Sequence, residues 1–309
     1  MRAIFLGTPE IAVPSLRALA AIARVVGVVC QPDRPSGRGL HLHAPPIKVE
    51  AERLGVQVVQ PTKIKTPDFL EWVRERRADI ALVLAYGRIL PPTVLAAPLH
   101  GCVNLHASIL PSYRGAAPIN WAIVKGETET GISLMQMDEG LDTGPVYSVH
   151  KTSIGPDETA GELAARVGEL AAEVVRDGLP RVLAGELVAV PQDATRATFA
   201  PVLKKEDGRI VWTKSAVEVH NHVRGMTPWP GAFSYLGGKL IKILETRRST
   251  LAPGQAPPGT LVAADPATTL VACGKGALEI VRAQVEGRKP LAARDLVVGR
   301  TFGKGAQFD

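Results

Sequence analysis

Residues 101–144 read GCVNLHASILPSYRGAAPINWAIVKGETETGISLMQMDEGLDTG, and this single stretch passes through strand, loop, helix and strand. Gly101-Cys102-Val103 opens an apolar run with the look of a buried strand, which carries on through Asn104, Leu105 and His106. Strand side chains alternate between faces, so Asn104 and His106 share one face. An amide beside an imidazole can hold an oxygen that gains negative charge in acyl transfer, if both reach the same pocket. Ser108-Ile109-Leu110-Pro111 then ends on a residue with no N–H for a ladder, which predicts a loop with an apolar lining, able to hold a flat ligand. Pro118 suits the first turn of a helix. Gly131–Met137 predicts another strand, broken at Asp138-Glu139-Gly140-Leu141-Asp142-Thr143-Gly144. Carboxylates and glycines so close together predict a tight acidic loop at a strand end, where open α/β sheets place their ligands.

Outward from this stretch the same alternation covers the first 180 residues or so. Near-continuous apolar runs at 3–6, 25–30, 56–59, 80–84 and 102–105 are the pattern of strands buried on both faces. Helical stretches near 11–22, 46–54, 67–77, 118–125 and 158–177 separate them. The expected fold is α/β: a doubly wound, mostly parallel Rossmann-like sheet. Gly7-Thr8-Pro9-Glu10 follows the first strand with one glycine in place of the GxGxxG spacing, which disfavours a dinucleotide site.

At 309 residues, two domains are expected. The boundaries drawn are 1–183 for a catalytic domain, 184–202 for a linker and 203–309 for a second domain with short strands at 209–212, 232–235, 239–244, 259–263, 269–273 and 278–284, a helix at 215–226, and the spacing of a small barrel. Charge divides along the same line. Residues 203–309 carry 16 Lys and Arg against 9 Asp and Glu, whereas the rest carries 20 against 21. A basic module joined to a near-neutral one suits a polyanionic partner. Cys30, Cys102 and Cys273 are too few and too scattered for a disulfide framework, which fits a reducing cytoplasm, and neither a secretory signal nor a membrane span is expected. The pairs His41/His43 and His220/His222 lack acidic or thiol neighbours at ligand spacing, so no metal is expected.

The Asn104-x-His106 pair, the run HASILPSYRGAAPI and Asp138-x-Gly140-x-Asp142-Thr143-Gly144 resemble the folate-dependent formyltransferases. The likeness extends from Phe5-Leu6-Gly7-Thr8-Pro9 through Gln31-Pro32-Asp33-Arg34-Pro35 to Trp229-Pro230, and within that group it points to members acting on initiator tRNA. The resemblance implies transfer of a formyl group from 10-formyltetrahydrofolate, the cosubstrate, to the α-amino group of methionyl initiator tRNA, by a cytoplasmic enzyme that is expected to be a monomer. It implies Asn104, His106 and Asp142 as the catalytic set. Folate contacts are expected from Ser108, Ile109, Leu110 and Pro111, from Gly87, Ile89 and Leu90 at the end of the fourth strand, and from Glu139. The second domain is implied to be an OB-like barrel. For tRNA, the implied contacts are Arg38, in the long loop 31–46, with assistance from Arg34, and Lys204, Lys205, Arg247 and Arg248 in the basic domain. That loop departs from the family pattern, carrying Leu40, His41 and Leu42 where lysines often stand. Amino-sugar and glycinamide ribonucleotide formyltransferases, and a hydrolase of the folate donor, share the same core motif and stay open as alternatives at this point.

Overall fold

The computed structural model describes residues 1–36 and 41–309. Two compact units partition the chain. One comprises Met1–Pro118, Glu129–Thr152 and Ala164–Pro201; the other comprises Ile119–Thr128, Ser153–Leu163 and Val202–Asp309.

The first unit is built on a seven-stranded sheet. Across it the strands run Val146–Ser153, Glu129–Gln136, Cys102–His106, Ile80–Leu84, Arg2–Gly7, Arg24–Val29 and Val58–Val59. From Cys102–His106 to Val58–Val59 all neighbours are parallel, and Glu129–Gln136 joins antiparallel. The central strands are buried along their whole length, as their unbroken apolar runs require. Val146–Ser153 is an addition to the expected set; its sequence VYSVHKTS is polar and only partly covered, as suits the sheet edge. The Pro/Gly-rich loop after the second strand also contains a ladder, in which Arg34–Ser36 pairs antiparallel with His41–His43. Arg38 lies outside the described residues.

Strand order reverses between Arg2–Gly7 and Ile80–Leu84, which puts the crevice of the sheet at their carboxyl ends. Three connections meet there. The Thr8 hydroxyl and the Gln31 amide both donate to the Tyr86 carbonyl (3.3 and 3.1 Å), and the Gln31 N–H donates to Thr8 Oγ1 at 3.3 Å. Thr8 is thus engaged in holding the strand-to-helix turn.

Around the sheet, helix Pro67–Glu75 starts at Thr66, whose hydroxyl accepts the Phe69 N–H, and buries Phe69 and Val73 one turn apart. Helix Pro46–Arg53 buries a carboxylate, Glu50, which is only 5 % exposed and held between Arg17 (2.9 Å) and Arg53 (2.6 Å). The two guanidiniums pull its pKa down to about 2. A depressed carboxylate stabilises the fold fully above its ordinary value near 4.5, and that contribution disappears as pH falls from there towards 2. Both arginines are largely solvated, which trims the net effect to about 1–2 kcal/mol. Glu50→Gln is therefore expected to lower Tm by a few degrees at pH 7, with the gap from wild type closing between pH 4.5 and 2 in a calorimetric pH series. A gap that stays constant through that range would refute the ion-pair account.

The second unit carries an antiparallel sheet in the order Ala232–Leu236, Lys239–Arg248, Ala277–Val285, Thr269–Ala272, Leu261–Ala264, with Leu291–Ala292 also on Ala277–Val285. Gly237 and Gly238, with φ of +55° and +75°, make the two-residue hairpin turn that joins its first two strands. Helix Ala216–Gly225 begins in a capping box of Ser215 and Glu218. The strand expected at 209–212 reduces to one bridge, Arg209 to Phe233. Trp212 is instead fixed by its side chain, which donates to Ser234 Oγ at 2.9 Å and stacks on Phe308. Helix Ala293–Val298 is a further addition.

Ser153–Leu163 belongs to this unit because Arg224, buried on helix Ala216–Gly225, donates to the Gly155 and Glu158 carbonyls and to Asn221 Oδ1. His220, two residues from His222 and so on a different side of the helix, meets Thr246 Oγ1, the Pro156 carbonyl and Asp157. Among the described residues no helix is long and apolar enough to cross a membrane.

Candidate active site

Asn104 and His106 stand on the strand Cys102–His106, where alternation turns both to one face and Val83 and Ser133 are among their partners in register. Asn104 is 8 % exposed, and none of the hydrogen bonds that hold the neighbouring His106, Ser108 and Ser133 side chains runs through its amide. An amide so placed has two N–H donors to offer a ligand.

His106 is 5 % exposed and is held from two sides. Its Nε2 lies 2.9 Å from the Tyr113 carbonyl, and a carbonyl can only accept, so Nε2 carries a proton. Its Nδ1 faces Asp142 Oδ2 at 3.6 Å, an ion-pair contact longer than a hydrogen bond. Nε2 turned to the Tyr113 carbonyl leaves Nδ1 as the ring nitrogen that faces the Asp142 carboxylate. Asp142 Oδ2 also accepts the Gly115 N–H at 2.8 Å. The geometry thus sets Asn104 and His106 on one face of their strand and places the Asp142 carboxylate 3.6 Å from His106.

The acidic loop is tightly wound. Asp142 has φ +53°, the left-handed region that Asp and Asn tolerate best after glycine. Asp138 Oδ1 caps the turn, accepting from the Gly140 N–H and the Thr143 hydroxyl. A side chain at Gly144 would run into the Gln136 carbonyl, so the chain can re-enter the sheet this closely only with glycine there.

The residues expected to hold folate fall into two groups. Ile89, Leu90 and Glu139 line a cleft of about 590 Å³, together with Ile64, Lys65, Thr66 and the start of helix Pro67–Glu75. Gly87 lies just ahead of them, its φ of +79° turning the chain after Ile80–Leu84. Ser108–Pro111 is not part of that cleft. Its polar groups are committed to the loop itself: the Ser108 hydroxyl donates to the Ser112 carbonyl (2.6 Å), and Ser133 Oγ accepts the Leu110 N–H while donating to the Ser108 carbonyl. That leaves the half-buried Ile109 and Pro111 as the faces it can offer a ligand.

Two features of the site went unseen in the sequence. Arg114, part of the quoted motif, is buried and donates to Gln192 Oε1. Gln192 belongs to the stretch 184–202 expected as linker, and that stretch is well anchored: Thr198 accepts the Tyr113 and Arg114 N–H groups, and Phe199–Ala200 pairs in parallel with Arg114–Gly115. Of the residues expected at tRNA, Arg34 is exposed on the ribbon, Lys204 and Lys205 are exposed, and Arg248 is exposed on the strand Lys239–Arg248. Arg247 is exposed but pairs with Glu279 at 3.1 Å.

Residues 1–182 match the formyl transferase family model, and residues 202–301 match the model of the formyl transferase C-terminal domain. Methionyl-tRNA formyltransferase from Sorangium cellulosum is 66 % identical over 306 residues, which cover 99 % of this chain and 98 % of that protein. The protein of the same name from Myxococcus xanthus is 49 % identical, with 99 % and 97 % covered. Among solved structures, an N-formyltransferase from Helicobacter canadensis bound to folinic acid and dTDP-3-aminofucose matches with a TM-score of 0.66 at 16 % identity, over 90 % of this chain and 98 % of that one. Methionyl-tRNA formyltransferase from Clostridium thermocellum matches with a TM-score of 0.54 at 18 % identity, over 84 % and 96 %. At those identities the structural likeness speaks for the fold.

Proposed function

The chain belongs to the methionyl-tRNA formyltransferase family, and from that premise we propose how its residues divide the work. The enzyme moves a formyl group from 10-formyltetrahydrofolate to the α-amino group of methionine on initiator tRNA, giving the formylmethionyl-tRNA used to begin translation. A C–N bond to the methionyl nitrogen forms and the bond from the formyl carbon to the folate nitrogen breaks. One proton leaves the amine and one reaches the folate nitrogen. The folate supplies the activated formyl group.

Asn104 carries this reading. Its largely buried amide, on the same strand face as His106, fits a role as donor to the formyl oxygen while negative charge develops there. His106 and Asp142 take the proton traffic. With its carboxylate 3.6 Å from His106 Nδ1, Asp142 is placed to accept a proton from the incoming amine, directly or through water, and to return one to the departing nitrogen. The folate ring system is assigned to the cleft of Ile89, Leu90 and Glu139 and to the apolar faces of Ile109 and Pro111.

We infer an OB-like barrel for the C-terminal unit. Bridges from Leu236 to Phe308 and from Thr260 to Gln307 support closure, since one short segment touches both edge elements of the sheet. Lys204, Lys205, Arg247 and Arg248 are assigned to tRNA phosphates. Arg34 and Arg38 are assigned to the acceptor end, Arg38 on the sequence alone. The enzyme is proposed to act as a cytoplasmic monomer. Amino sugars as acceptors are disfavoured, because full-length identity runs to the tRNA enzymes and the basic excess of residues 203–309 serves a polyanion.

Formyl transfer to methionyl initiator tRNA, measured from 50 to 200 mM salt, tests the assignment. Wild-type kcat/KM is expected to fall at least about tenfold across that range. Lys204→Ala/Lys205→Ala and Arg38→Ala should each lower it further at fixed salt and flatten the salt slope, by about one unit for every phosphate no longer neutralised. Transfer to a dTDP-amino sugar but not to tRNA would overturn the acceptor.

A further inference from the structure

We propose that Gln192 is a positioning residue for Asp142, and that Arg114 sets its orientation. The proposal rests on the reading of Asp142 as the proton-handling group. The Gln192 amide nitrogen donates to the carbonyl of Asp142 (2.8 Å) and to that of Gly144 (2.7 Å), two residues apart in the tight acidic loop. Its amide oxygen accepts from Arg114 Nη2 (2.7 Å) and Nε (3.2 Å). A guanidinium only donates, so the oxygen of the amide must face Arg114 and the nitrogen must face the loop. The amide therefore cannot turn over.

Arg114 is 6 % exposed, and Gln192 Oε1 takes two of its N–H groups. The next residue, Gly115, donates its backbone N–H to the Asp142 carboxylate. The dipeptide Arg114–Gly115 thus grips Asp142 at both ends, at the carboxylate directly and at the backbone through Gln192. This matters because Asp142 has φ +53°, a left-handed conformation that its neighbours must hold in place. Two hydrogen bonds to carbonyls flanking the turn fix the peptide planes that aim Oδ2 at His106 Nδ1. Proton transfer is sensitive to such aim: misplacement by an ångström can reduce a rate about 100-fold.

Gln192→Glu separates this role from a general contribution to folding. Glutamate keeps an acceptor for Arg114, now as an ion pair, but has no N–H for the two carbonyls. The expected result is a fall in kcat of about 10- to 100-fold, with KM for folate donor and for tRNA within about threefold and Tm lowered by no more than a few degrees, since the ion pair with Arg114 offsets part of the loss of the two donated bonds. Gln192→Leu, which removes both ends of the bridge, should fall at least as far. In an Asp142→Asn background, single-turnover measurement should find that Gln192→Glu costs less than about threefold, because the group it aims is already gone. The proposal is overturned if Gln192→Glu keeps more than a third of wild-type kcat, or if it costs the same factor in both backgrounds. Normal activity of Asp142→Asn alone would instead bring down the reading of Asp142, and the role of Gln192 with it. The single variants tell these two failures apart.

Discussion

Asp142→Asn is expected to lower kcat for formyl transfer by about 10²- to 10⁴-fold, the range for removing a general acid–base group, while leaving the fold intact. Asparagine is nearly the same shape, and its side-chain carbonyl still accepts the Gly115 N–H that now reaches Oδ2. The backbone adds no penalty, since at φ +53° asparagine is as well tolerated as aspartate. Asp138, which caps the same loop through Gly140 and Thr143, is untouched. What the substitution removes is a carboxylate able to take up a proton, 3.6 Å from His106 Nδ1. Single-turnover rates with saturating donor and tRNA, together with Tm, provide the check. Activity within threefold of wild type would refute a proton role for Asp142. A large loss accompanied by a fall in Tm of several degrees would make it a structural turn residue.

The readable parts of this chain were those with local signals. Strands covered on both faces must be apolar throughout, so 80–84 and 102–105 declare themselves, and the period of two that puts Asn104 and His106 on one face is visible in three letters. Val146–Ser153 carries no such run, because an edge strand that faces solvent tolerates Lys151 and His150. Trp212 misled in the other direction: a bulky aromatic flanked by Val211 and Ile210 looks like a strand, yet a side-chain hydrogen bond and a ring stack hold it without a ladder. Gln192 was beyond reach for another reason. It stands 50 residues from Asp142 in a polar, proline-bearing stretch whose composition matches a free connector. Only the folded position of Arg114 gives it a task. Interactions across such separations also draw Ile119–Thr128 into the C-terminal unit, where the Asn120 amide donates to the Gly225 carbonyl at 2.8 Å.

Asn104→Ala is expected to separate stability from catalysis more cleanly than any other change in the site. In most buried positions, trimming asparagine to alanine strands its former partners, which costs about 1–3 kcal/mol. Here the hydrogen bonds that hold His106, Ser108 and Ser133 do not run through the amide, so its removal strands none of those groups. Tm should therefore stay within about 2 °C of wild type or rise. Catalysis should respond in the opposite sense. Loss of one donor to a developing oxyanion costs about 2.7–4 kcal/mol, a fall in kcat of about 10²- to 10³-fold. Because the charge on the formyl oxygen is small in the ground state, KM for the folate donor should move far less than kcat. Asn104→Asp extends the argument: a carboxylate offers no N–H and adds repulsion, so its kcat should lie at or below that of Asn104→Ala. Equal losses in kcat and donor affinity would make Asn104 a ground-state binding group, and a marked drop in Tm with near-normal kcat would return it to the structural core.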